Sequence, residues 1–119
     1  MIAVAQSEPN TYVELLRTFD YDVVRFDRPV QCVAQCLKKC PRLIVMDLCG
    51  MDQSAGLWLA SELTRLRLDI PIVMLNDRSR LSLKLEPFSN VIVIEPERIS
   101  TFIDTVEELA GGQHNPDAS

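Results

Sequence analysis

Short apolar runs alternate along the chain with segments in which apolar residues recur at helical spacing. The largely apolar runs at 2–5, 43–48, 70–75 and 91–94, together with the β-rich segment at 21–26, predict five strands. The segments between and after them predict helices that begin near residues 10, 29, 56 and 100, while 76–90 stays ambiguous. Strands without polar alternation are usually covered on both faces, so this order predicts a doubly wound α/β domain with a parallel sheet.

Two of these segments carry specific expectations about burial. In the second helix, we expect Val30, Val33, Ala34 and Leu37 to form the face that packs on the sheet. In the last strand, the uninterrupted run at 91–94 predicts burial on both faces. That run leads directly into Glu95, so a carboxylate is expected at the end of a buried strand.

Composition limits the classes of function. The chain has 119 residues, which predicts one domain over 1–110 and a polar tail or linker over 111–119. A net charge of -5 argues against direct binding to a nucleic-acid backbone by this domain. No apolar run is long enough to cross a membrane, and the first residues lack the features of a signal peptide. The expected compartment is therefore the cytoplasm.

The four cysteines do not predict a metal site. Cys32, Cys36 and Cys40 fall on one stripe of a helix, and a predicted strand separates Cys40 from Cys49 by roughly 20 Å or more. Neither Cys49 nor the lone His114 is expected to converge with that stripe. Free thiols in a reducing compartment are the simpler interpretation.

Polar residues follow four of the predicted strands. In a parallel sheet, functional sites form at the carboxyl ends of the strands. The residues expected at that edge are Gln6, Ser7, Glu8, Asp47, Asn76 and Glu95.

The same segments carry a family resemblance. IAVAQSEP (2–9), LIVMDL (43–48), IPIVMLND (70–77) and VIVIEP (91–96) occur in the order and near the spacing of response-regulator receiver domains. The chain resembles that family over about residues 1–110. The resemblance implies a flavodoxin-like fold with five parallel strands in the order 2-1-3-4-5. It also places Asp47 where receivers carry the aspartate that accepts a phosphoryl group.

Receiver chemistry needs cations around the transferred phosphoryl group. The family implies Mg²⁺ held by acidic residues after strand one, a hydroxyl after strand four and a lysine after strand five. Here Gln6 and Ser7 replace the acidic pair, Glu8 lies one position past it, Asn76 replaces the hydroxyl, and Glu95 reverses the charge of the lysine. We therefore predict a degenerate phosphorylation pocket without a catalytic residue, metal or cofactor.

The carboxylates of this pocket leave alternatives open. Asp47 is expected to accept hydrogen bonds from Gln6, Ser7 and Asn76 instead of binding metal. Glu95 either turns outward, to water or to Arg78 or Arg98, or it shares a proton with Asp47. A carboxylate pair could also perform acid–base catalysis, but no histidine or serine–base set accompanies it.

The resemblance also implies an interaction surface, formed in receivers by the fourth helix, the fifth strand and the fifth helix. Across a two-fold axis, basic residues before strand five could face acidic residues after it, which would form an isologous dimer around Ile92. An ordinary solvated surface is the alternative. The charged residues concerned are Arg78, Arg80 and Lys84 on the basic side and Glu97, Asp104, Glu107 and Glu108 on the acidic side.

Two functions follow from these patterns. The first is a phosphorylation-independent, non-enzymatic receiver-like regulatory domain. It would act by homodimerisation or by binding another protein, either alone or as the N-terminal domain of a transcription regulator with a fused output domain. The alternative is an active but atypical receiver that a histidine kinase phosphorylates on Asp47.

Overall fold

A computed structural model describes residues 1–5, 11–48, 54–76, 88 and 90–110. Strands and helices alternate up to the fourth strand, and the fifth strand precedes the last described helix. In chain order, the elements are β1 (Ile2–Ala5), α1 (Thr11–Thr18), β2 (Val23–Phe26), α2 (Pro29–Lys38), β3 (Leu43–Asp47), α3 (Ser54–Arg65), β4 (Ile72–Leu75), β5 (Val91–Ile94) and α4 (Ile99–Ala110).

The five strands form one parallel sheet in the order β2-β1-β3-β4-β5. Ile2 pairs in register with Val23 on one side and with Leu43 on the other. On the other side of β3, Ile72 pairs in register with Ile44 and with Val91. The predicted fold class and strand order are therefore confirmed.

Helices cover both faces of the sheet and divide the core into two clusters. On one face, Tyr12 of α1 meets Phe102 of α4 edge-to-face, with ring centroids 5.3 Å apart. On the other face, α2 and α3 pack against β1, β3 and β4. Helix α3 approaches the sheet closely at Gly56, where an added Cβ would lie 3.1 Å from the Sδ atom of Met74.

Helices α1 and α3 end in the same way, although neither end has a glycine. Asp20 and Arg67 adopt φ angles of 67° and 58° just past the two helices. After α3, the Arg67 N–H donates to the Thr64 carbonyl and the Leu68 N–H donates to the Leu63 carbonyl. These are the two hydrogen bonds of a Schellman motif, which satisfies carbonyls that the helix end leaves without partners.

The expected apolar face of α2 is wrong except at Val33. Val30 and Leu37 are 57% and 64% exposed, and Ala34 is exposed as well. The helix is rotated so that Cys32, Val33 and Cys36 are buried in the cluster beneath it. That cluster includes the small side chains of β1, and compact thiols fit against such neighbours.

The expected burial of β5 on both faces is also wrong. Only Ile94 is fully buried, Val91 and Val93 are half-buried, and Ile92 is exposed. The reason is topological, because β5 forms one edge of the sheet and lies beside β4 alone. Glu95 therefore follows an edge strand and not a central one.

The ambiguous segment 76–90 falls largely outside the described residues, as does the tail at 111–119. Within that segment, Phe88 packs half-buried against the cluster beneath α2 and α3. The Asn90 side chain donates to the Ile70 carbonyl at 2.8 Å, which ties the start of β5 to the residues before β4. In the part of the chain that the structure describes, no helix combines the length and apolar character that crossing a bilayer requires.

Candidate functional site

Three predicted site residues lie at the carboxyl edge of the sheet. Asp47 ends β3, Asn76 follows β4, and Glu95 follows β5. Backbone hydrogen bonds between neighbouring strands hold these residues level with one another at the edge. The Leu48 N–H donates to the Leu75 carbonyl, and the Asn76 N–H donates to the Ile94 carbonyl. The structure thus brings these polar residues to one edge, on three consecutive strands.

Asn76 sits deepest of the three. It is only 4% exposed and is the one polar side chain among the described residues that is buried to this extent. Asp47, on the neighbouring strand, is half-buried. The side chain that follows β4 is a neutral amide. Its Nδ2 atom does not make the expected hydrogen bond to Asp47, so that prediction is wrong.

Glu95 turns outward. Its Oε2 atom lies 3.5 Å from Nε of Arg98, and the Glu95 side chain is 34% exposed. Strand β4 separates β3 from β5, so Asp47 and Glu95 are about two strand spacings, ~10 Å, apart. The predicted outward orientation toward Arg98 is confirmed, and the alternative of a proton shared with Asp47 is wrong.

A shallow cavity of about 290 Å³ lies beside this ion pair. It is lined by Val93, Ile94, Glu95, Arg98 and Thr101. The cavity borders α4 and β5, on the far side of β4 from Asp47.

The remaining pocket residues, Gln6, Ser7 and Glu8, lie outside the described residues. The hydrogen bonds predicted from Gln6 and Ser7 to Asp47 stay predictions. Among the residues that the structure describes, no group of three or more His, Cys, Asp and Glu side chains is placed to hold a metal ion.

The thiols of α2 form a pair within the core. Cys32, Cys36 and Cys40 are free, while Cys49 lies outside the described residues. The Cys32 thiol donates a hydrogen bond to the Cys36 sulfur, which lowers the pKa of Cys36 although burial opposes this shift. Cys32 and Cys36 of the predicted stripe therefore pack in the core, while Cys40 is exposed.

The structure describes only the acidic side of the predicted interface and Ile92. Arg78, Arg80 and Lys84, its basic side, lie outside the described residues. The acidic side is present on and before α4, where Glu97, Asp104, Glu107 and Glu108 are exposed. Ile92 is exposed on the neighbouring edge strand. Their use as an interface stays a prediction.

Glu107 has a contact that the sequence did not indicate. Burial of Tyr21, together with its hydrogen bond to Glu107 and the charge of that carboxylate, raises the pKa of Tyr21 to about 12. A tyrosine in an apolar run signals that its hydroxyl needs a polar partner. The sequence does not identify that partner, because it lies 86 positions away on another element.

Comparisons with known proteins rest on structure alone. Scans against models of protein families and against curated proteins give no match. Among solved structures, a sensor protein from Polaromonas sp. JS666 is similar with a TM-score of 0.73 and 18% identity, over 93% of this chain and 95% of that chain.

Two further structures are similar over nearly the whole chain. The pseudo-receiver domain of the CikA protein gives a TM-score of 0.66 at 19% identity, covering 92% of this chain and 95% of that chain. The N-terminal domain of the nisin resistance regulator NsrR gives 0.68 at 20% identity, covering 91% and 95%. The chain therefore has the fold of receiver and pseudo-receiver domains, as the sequence resemblance predicted.

Proposed function

We propose that this chain is a receiver-like regulatory domain that works without phosphorylation and acts through contacts with proteins. The observation that carries this proposal is the position of Glu95. At the end of β5, where the resemblance expects a lysine, a carboxylate turns outward and pairs with Arg98 at 3.5 Å. Glu95 therefore supplies no cation at the end of β5, where receiver chemistry needs one to neutralise a phosphoryl group on Asp47.

The buried amide of Asn76 supports the same proposal. A hydroxyl is expected after β4 in a working receiver, and an amide that is 4% exposed stands there instead. The backbone of Asn76 is fixed beside β5, because its N–H donates to the Ile94 carbonyl at 3.1 Å. Such an amide brings no positive charge near Asp47, whereas receiver chemistry needs cations around the transferred phosphoryl group.

The test is phosphoryl uptake from acetyl phosphate during a Mg²⁺ titration, followed by intact mass. We expect no added phosphoryl group on the wild-type chain, and none on Glu95→Lys, because that single change leaves Gln6 and Ser7 where Mg²⁺ ligands are needed. A receiver with the full motif set is the positive control. Labelling that Asp47→Asn abolishes would establish the alternative function, an active atypical receiver.

As part of the proposal, the domain acts as a homodimer or binds a protein partner through α4 and β5. The acidic residues of α4 and the exposed Ile92 support this surface. Arg78, Arg80 and Lys84 would supply the opposite charge from a second copy.

The domain is proposed to be a non-enzymatic cytoplasmic module without a cofactor, either free or fused through 111–119 to an output domain such as that of a transcription regulator. The three free thiols among the described residues are consistent with a reducing compartment. The net charge of -5 supports leaving nucleic-acid binding to a fused domain.

A further inference from the structure

Helix α2 is apolar on two sides, and only one side is covered. Cys32, Val33 and Cys36 face the core. Val30, Ala34 and Leu37 recur at i, i+4 and i+7 on the outside, where all three are exposed. A surface helix normally needs one apolar stripe, so the outer stripe has no role in the folding of this domain.

Helix α3 extends the outer stripe into a groove. Trp58 is 41% exposed beside it. A shallow groove of about 420 Å³ is lined by Arg28, Pro29, Val30, Ser54, Ala55 and Trp58. We call Val30, Ala34, Leu37 and Trp58 the outer patch. An exposed apolar patch with an aromatic side chain beside a groove is typical of a docking surface.

The charges along α2, beside the outer patch, have one sign. Residues 28–42 contain no acidic side chain and carry Arg28, Lys38, Lys39 and Arg42, in a chain whose net charge is -5. Asp27, the nearest acid before them, pairs with Arg25 at 2.8 Å. Cations thus stand at both ends of the apolar stripe and no nearby carboxylate opposes them along α2.

This charge pattern indicates which kind of molecule can bind the outer patch. A second copy docked α2 to α2 would place Arg28 near Arg28 in a parallel arrangement, or near Lys38 in an antiparallel one, and both are repulsive. A lipid surface is flat, whereas the patch borders a groove and its helix is held in the core by the inner stripe. An apolar helix with acidic ends matches the groove, the stripe and the cations together.

We propose that the outer patch binds an amphipathic α-helix of a partner protein that carries acidic residues at both ends of its apolar face. The stripe from Val30 to Leu37 covers two helical turns, ~10 Å, so such a partner would present apolar residues at i, i+4 and i+7. Its acidic ends would lie against Arg28 and Lys38. This surface lies on the face of the sheet opposite α4, so the inference stands independently of the proposed dimer.

Trp58 supplies the readout, because it is the only tryptophan of the chain. The probe is a synthetic helical peptide without aromatic residues, with Leu at i, i+4 and i+7 and Glu at both ends. The control peptide has Lys in place of Glu. We expect Trp58 emission to shift to shorter wavelength and saturate with the Glu peptide, and to respond at least about ten-fold more weakly to the Lys peptide.

Variants locate the binding. Val30→Ser and Leu37→Ser should weaken the response to the Glu peptide about ten-fold, and Arg28→Glu with Lys38→Glu should shift the preference toward the Lys peptide. Phe19→Ser, at an exposed apolar residue outside the patch, should leave binding unchanged. Circular dichroism of each variant checks that the fold is retained.

Four outcomes would overturn the inference. They are no response to the Glu peptide, equal responses to both peptides, a shift with anionic phosphatidylglycerol vesicles but not with peptide, and self-association that Leu37→Ser abolishes. None of them bears on phosphorylation of Asp47 or on the α4 surface, so the proposed function would stand or fall separately.

Discussion

At the scale of single residues, Phe102 anchors the cluster between α1, α4 and the sheet. It is completely buried and is the largest of the fully buried side chains among the described residues. Its ring meets Tyr12 at an interplanar angle of 66°, an edge-to-face contact that adds to the burial.

Phe102→Ala should therefore lower the free energy of unfolding by about 3–5 kcal/mol, through lost burial and the cavity left behind. Urea denaturation followed by circular dichroism measures the change. Phe19→Ala is the matched control, because Phe19 is 43% exposed, and it should cost well under 1 kcal/mol. Similar losses for the two variants would contradict the assigned core.

Tyr21 gives the fold a dependence on alkaline pH. Its pKa is raised to about 12 in the folded chain, first by burial and then by Glu107, while an unfolded tyrosine titrates near 10. The folded state holds the proton more tightly, so its stability is fully present below pH ~10 and falls as the pH rises toward ~12.

The loss of stability between these pH values should be smaller in Tyr21→Phe than in the wild type. The difference should amount to about 1–2 kcal/mol, because solvent screens part of the effect of the exposed Glu107. Urea denaturation at several pH values between about 9 and 12 measures both chains, and their difference removes the contribution of the lysines. Parallel pH profiles for the two chains would show that Tyr21 titrates normally.

At the scale of elements, α1 and α3 end on residues that carry a side chain in the left-handed region. Arg67 has a φ of 58°, and the two hydrogen bonds of the Schellman motif hold it there. Glycine adopts this conformation without the steric cost of a Cβ atom.

Arg67→Gly should raise the free energy of unfolding by about 0.5–1 kcal/mol, part of the relief being offset by the greater freedom of glycine in the unfolded chain. Ser61→Gly, at an exposed position inside α3, should have the opposite sign and cost about 0.5 kcal/mol. Thermal unfolding of both variants tests this contrast, and a destabilised Arg67→Gly would contradict the capping geometry.

The elements also show what the sequence could predict. Five strands, their order and four helices followed from alternating periodicity and from the family resemblance, and the structure confirms them. The face of α2 did not follow, because two apolar stripes of the same period overlap on that helix. Periodicity gives the presence of a stripe, and packing against the small residues Ala3 and Ala5 selects the thiol stripe.

The exposure of β5 could not be predicted from the sequence, for a similar physical reason. Four consecutive apolar residues look alike on central and edge strands, since exposure depends on which neighbours the topology provides. At the site, the outward Glu95 could be predicted because a carboxylate avoids a dry pocket beside another one. The contact of Glu107 with Tyr21 could not, because it joins distant elements.

At the scale of the whole molecule, the described charges are unevenly distributed. The charged residues within 28–42 are all basic, and the exposed charged residues of α4 are all acidic. These surfaces lie on opposite faces of the sheet, so two different contacts can be made by one domain. The α4 surface is the one proposed for the homodimer.

If that dimer forms, light scattering at roughly 100 μM should give twice the 13.5 kDa mass of the chain, with a return to the single mass on dilution or at high salt. Ile92→Glu should produce a monomer by placing a charge at the centre of the contact. Phe19→Glu, outside it, should leave the dimer intact. A wild-type monomer at that concentration would remove the homodimer and leave binding to a different protein.

The strand order also has a consequence for how the chain assembles. β1 lies between β2 and β3, so the first strand to be synthesised pairs fully only after Asp47 has been made. From there the sheet grows in one direction, through β4 to β5. The amide protons of β1, β3 and β4, which pair on both sides, should exchange more slowly with solvent than those of the edge strands β2 and β5. The strand proposed to meet a partner would be the last one added and one of the first to open.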